Sequence, residues 1–111
     1  MILILSLSCL EEQDKSATKE TVQVAYSAGC GLESSHALGG EQVEVSWSEA
    51  GGDRSYFLSV PLDYDPQKPY SIVVGFSGTD WVGADIQGYL ELEQYADQTI
   101  FVYPDPLWRQ F

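Results

Sequence analysis

The chain has 111 residues, 44% of them hydrophobic and 13% aromatic, with seventeen acidic residues against five basic and a formal charge of -12. That length holds one small domain and not two, and the apolar content exceeds that of chains too poor in core residues to fold. The negative charge repels phosphate backbones and argues against nucleic acid as a partner, while two widely separated cysteines and one histidine cannot build a zinc site, so no metal or cofactor is expected.

Residues 1–10 read MILILSLSCL, an apolar run that turns abruptly polar at Glu11. It reads as an export segment that is short, lacks a basic lead and is far too short to span a bilayer. Its Leu7-Ser8-Cys9 ending resembles a bacterial lipoprotein signal, in which cleavage before Cys9 leaves that thiol to be lipidated. The expectation is a secreted chain, or one that meets a membrane only through a lipid anchor on Cys9. Cys30 is then left with its disulfide partner absent from the chain. Residues 11–26 are polar and aperiodic, the pattern of a flexible linker. The ordered domain is expected over 27–111, opening on the Ser27-Ala28-Gly29-Cys30-Gly31 turn.

Gln42 to Trp47 alternates, with Val43, Val45 and Trp47 on one side, and predicts a half-buried strand. Glu49 to Asp53 supplies a turn, and Ser55 to Val60 predicts a second strand paired with the first as an antiparallel hairpin. Asp63 to Pro69, with two prolines and Asp63-x-Asp65, is surface turn chemistry, better read as turn capping than as a calcium site. Tyr70 to Phe76 is apolar on both sides at Ile72, Val73 and Val74, as in a strand covered on both faces of a parallel sheet. Ala84 to Asp97 places Ile86, Tyr89, Leu90, Leu92 and Ala96 at helical spacing. Thr99 to Tyr103 is a last short strand, parallel to the one at 70–76 through a right-handed βαβ crossover.

An antiparallel hairpin leading into a parallel βαβ unit is how the α/β-hydrolase fold begins. The run Val60 to Tyr70, the apolar strand, the following Gly75-Phe76-Ser77-Gly78 and the segment Ser27 to Gly31 resemble the secreted feruloyl esterase and polyhydroxybutyrate depolymerase-like esterases. The resemblance covers about residues 27–108. It implies a serine carboxylic ester hydrolase acting on an ester-bearing polysaccharide or a polyester. It also implies that the loop Ser77, Gly78, Thr79 is part of an oxyanion hole, with the Thr79 N–H as donor and Ser77 where the family usually has His. Trp81, Trp108 and Tyr103, near the ends of the parallel strands, are candidates to stack on a phenolic or sugar group, although packing in the core or at its rim is the better reading of all three.

No Gly-x-Ser-x-Gly occurs, Ser77 lacks the second glycine of a nucleophile elbow, and the single histidine, His36, precedes the sheet. Nucleophile, acid and base are therefore expected in a missing C-terminal half. The chain alone is expected to be inactive, an incomplete α/β sheet with a bare edge at 70–76. The alternative is a non-catalytic secreted carbohydrate-binding or lipoprotein module, which should be all antiparallel with protected edges.

Overall fold

The computed structural model describes residues 2–7, 27–47 and 52–107. Cys9, the segment 11–26 and Trp108 lie outside the described residues. In chain order the elements are β1 (Ile2–Leu7), β2 (Gly39–Val45), β3 (Arg54–Val60), β4 (Tyr70–Gly75), α1 (Gly83–Leu90), a 3-10 turn (Leu92–Gln94) and β5 (Thr99–Pro104). The strands form one mixed sheet in the order β1-β4-β5-β3-β2.

The alternation at 42–47 and 55–60 becomes the antiparallel β2/β3 hairpin, from Gly39 opposite Val60 to Val45 opposite Arg54. The strand–helix–strand unit closes as expected, with Val73 beside Phe101 in a parallel β4/β5 pair. Beyond β5 the sheet continues into β3, whose Phe57 lies opposite Tyr103 in an antiparallel pair. The result is a mixed α/β sheet with its parallel pair inside an otherwise antiparallel arrangement.

Two expectations about β4 are corrected. Its outer edge is not bare, because β1 pairs with it antiparallel over its full length, from Ile2 opposite Gly75 to Leu7 opposite Tyr70. The run that reads as an export segment is paired as a strand here, since apolar residues without proline or charge suit an edge slot as well as a signal. Nor is β4 covered by helices on both faces. Among the described residues α1 is the single α-helix, and Ile72 and Val74 stay only half-buried.

The core sits between α1 and one sheet face. Phe101 and Tyr103 alternate onto that face of β5, their rings nearly parallel with centroids 6.1 Å apart, and Ile86 of α1 packs on them. Phe57, Val73 and Leu90 close around this cluster. Tyr103 has no exposed surface, so of its two readings it takes core packing and not stacking on a ligand. Its ring occupies space that a side chain at Gly75 would need, since a Cβ there would come within 2.8 Å of it. A Cβ on Gly83 would come within 2.0 Å of the Tyr103 carbonyl oxygen.

The helix is shorter than the spacing predicts. Glu91 takes a left-handed conformation (φ 44°) and donates its N–H to the Gln87 carbonyl, ending α1, after which Leu92 and Ala96 reach the core from the 3-10 turn and beyond. Tyr89 is not on the buried face, being 72% exposed. Trp47 is likewise exposed, because β2 is an edge strand and Trp47 lies past its last paired residue.

Candidate functional site

The loop between β4 and α1, residues 76–82, lies at the C-terminal end of the parallel pair, where α/β sheets bind ligands. Gly75 and Gly83 bracket it, and both press against Tyr103, so the loop is anchored at each end to the best-buried residue of the fold. Between them Ser77 is half-buried, whereas Phe76, Gly78, Thr79 and Asp80 are exposed. Asp80 has φ 69°, a left-handed conformation that aspartate tolerates better than most residues and that turns the chain toward the helix.

Carboxylates finish the helix start. Asp85 accepts a hydrogen bond from the Val82 N–H at 3.0 Å, satisfying one free donor of the first turn. Asp105, just beyond β5, accepts the Gly83 N–H at 2.6 Å on Oδ1, and on Oδ2 the Ser55 hydroxyl and the Gln42 amide, each at 2.5 Å. One side chain therefore joins β2, β3 and α1 at the end of the sheet that carries the loop. Nothing local in the sequence marks Asp105 for this role, because its three partners are 22, 50 and 63 residues away.

Trp81 meets Tyr89 edge-to-face, ring centroids 5.2 Å apart at 84°, and the two residues remain 37% and 72% exposed. The helical spacing that assigns Tyr89 to the core conceals this pairing, since a helical side chain leans toward the N-terminus and can reach back over the loop before α1. The pair forms an aromatic surface close in sequence to the Ser77 to Thr79 segment.

Ser77 and His36 do not come together. Gly39 pairs with Val60, and Ser59 with Phe101, which puts the start of β2 at the N-terminal end of β4 and β5, the opposite end from Ser77. His36 Nδ1 instead pairs with Glu41 Oε1 at 2.5 Å on an exposed surface. Asp65 serves its turn, accepting the Gln67 N–H at 2.9 Å. Among the described residues no group of three or more His, Cys, Asp or Glu is placed to hold a metal ion.

Cys30 is disulfide-bonded, which corrects the expectation that its partner is absent. That expectation depends on giving Cys9, the one other cysteine in the chain, to lipid or to a cleaved segment. The turn around Cys30 is closed by its own N–H to the Ser27 carbonyl at 3.1 Å and tied to the 61–69 connection by Gly31 N–H to the Pro66 carbonyl at 3.1 Å.

No family model, no curated protein and no solved structure matches the chain.

Proposed function

We propose that this chain is the N-terminal scaffold of a carboxylic ester hydrolase of the α/β-hydrolase type, similar to the feruloyl esterase and polyhydroxybutyrate depolymerase-like enzymes. The observation that carries this reading is the direction and order of strands around the loop at 76–82. A parallel β4/β5 pair joined through α1 is flanked by the antiparallel β3, and the loop opens at the C-terminal end of the parallel pair.

In that role the Thr79 N–H stabilises the oxyanion of a tetrahedral intermediate, a contribution on the order of 3 kcal/mol for a preorganised donor. The exposed Trp81 and Tyr89 rings offer a stacking surface for the phenolic or sugar part of an ester-bearing polysaccharide. Attack on the carbonyl is left to a serine, and proton transfer to a histidine held by an acid, outside this chain. The β4 edge now held by β1 is the edge a further strand of the parent sheet would take. Cleavage before Cys9 would remove β1 and free it. Secretion thus fits the same reading.

The exposed aromatic pair also favours a second reading, a non-catalytic carbohydrate-binding or lipoprotein module. The parallel β4/β5 pair counts against it, because an antiparallel sandwich has none. The nucleotide sequence downstream of the Phe111 codon tests the choice. An in-frame continuation with Gly-x-Ser-x-Gly and a later histidine supports the hydrolase, and a stop codon followed by unrelated sequence contradicts it.

A further inference from the structure

We propose that a cavity on the α1 side of the sheet, at the end away from the 76–82 loop, binds a small organic cation, a primary ammonium carried on an aromatic ring. The cavity has a volume of about 520 Å³, within the range of small-molecule sites. Val60 at the end of β3 and Thr99 at the start of β5 line it, which sets it at the N-terminal end of the parallel pair. It is therefore separate from the candidate oxyanion loop and does not depend on the hydrolase reading.

The floor is aromatic. Phe57 and Phe101 line it, and Phe57 lies so close over β2 that a Cβ on Gly40 would come within 2.5 Å of the ring. Such a surface takes a ring by offset or edge-on packing.

The charged side chains lining the cavity are Asp63, Glu93 and Asp97, with no lysine, arginine or histidine among the lining residues. The field inside consequently favours cations and rejects carboxylates. Asp63 and Asp97 are exposed and act through the field, whereas Glu93 is half-buried. Glu93 Oε1 receives the Tyr103 O–H at 3.3 Å, but Oε2 is out of solvent without a hydrogen-bond partner. A carboxylate oxygen in that condition is costly until an N–H donor reaches it, and on this proposal the carboxylate rotates toward the cavity to meet the ammonium. A quaternary ammonium has no N–H to give, which is why the ligand class is a primary one.

Titration calorimetry of the full chain with benzylammonium, benzyl alcohol and benzoate, which share one ring, tests this. Benzylammonium is expected to bind saturably, about tenfold more tightly than benzyl alcohol, through its charge-assisted bond, with benzoate weakest. Glu93→Gln should cost benzylammonium about tenfold and leave benzyl alcohol unchanged. Ala96→Leu, which adds bulk to the cavity wall, should abolish binding of all three while the chain remains folded by circular dichroism. Absence of saturable binding, benzoate binding as tightly as benzylammonium, or binding unaffected by Ala96→Leu each overturns the proposal. The three-ligand comparison and Ala96→Leu decide the matter even where Glu93→Gln fails to fold.

Discussion

The Asp105 carboxylate accepts the Gly83 backbone N–H at 2.6 Å, so a residue following β5 caps the first turn of α1 from across the fold. The same carboxylate takes the Ser55 hydroxyl and the Gln42 amide, each at 2.5 Å. Charge-assisted bonds of this kind are about twice as strong as neutral ones, and removing their shared acceptor leaves several donors unmet. Asp105→Ala is expected to destabilise the chain by about 3 kcal/mol, and Asp105→Asn, which keeps one acceptor but presents an amide to the Gln42 donor, by about 1–2 kcal/mol. Urea unfolding followed by tryptophan fluorescence measures both, and equal effects would mean that the charge contributes nothing.

Two glycines of α1 should respond in opposite directions. Gly83→Ala drives a Cβ to within 2.0 Å of the Tyr103 carbonyl oxygen, a backbone atom that cannot turn aside, and should cost about 3 kcal/mol or more. Gly88→Ala meets nothing within 4 Å and should stabilise by about 0.5–1 kcal/mol through helix propensity. Thermal melts of the two variants against the parent check the signs.

Burial pushes the Tyr103 phenol well above its ordinary pKa, and the Glu93 charge and the hydrogen bond to it push the same way. A group whose folded pKa is raised holds its proton more tightly when folded. Its contribution to stability is therefore fully present below the unfolded value, about pH 10, and is lost as pH rises above that toward the folded value. In an absorbance titration one of the seven tyrosines should ionise only as the chain unfolds. Tyr103→Phe should flatten the alkaline loss of stability, at a cost near neutrality of about 1 kcal/mol for the hydrogen bond removed.

Among the described residues β1 alone covers the outer edge of β4. A chain beginning at Cys9 should expose the backbone donors and acceptors of β4 along an Ile72-Val73-Val74 centre without charge or proline. It is expected to self-associate by light scattering at concentrations where the full chain stays monomeric. Equal behaviour of the two chains would mean that β1 contributes no edge protection.

Period-two alternation and an apolar strand run make the hairpin, the parallel pair and their order along the chain legible in the sequence, because those signals are local. The end of α1 is not legible there, since it depends on Glu91 adopting a left-handed conformation that no residue pattern demands. Residues 2–7 carry a run compatible with both a signal and a strand, and no local pattern marks their pairing with β4. Position along the chain is enough to place Trp81 and residues 77–79 in the loop between β4 and α1. Spacing alone assigns Tyr89 to the core, a place at a strand end leaves Tyr103 between packing and ligand stacking, and no local signal marks Asp105. Each of these three depends on contacts distant in sequence or across an element boundary.

On the hydrolase reading the chain supplies a scaffold and an oxyanion loop but no side chain able to attack a carbonyl. The decisive measurement is incubation of the purified chain with a p-nitrophenyl ester and, separately, with a fluorophosphonate probe. The expected result is release no faster than in buffer and no covalent label on Ser77. Enzyme-like turnover together with stoichiometric labelling of Ser77, both lost in Ser77→Ala, would contradict the reading.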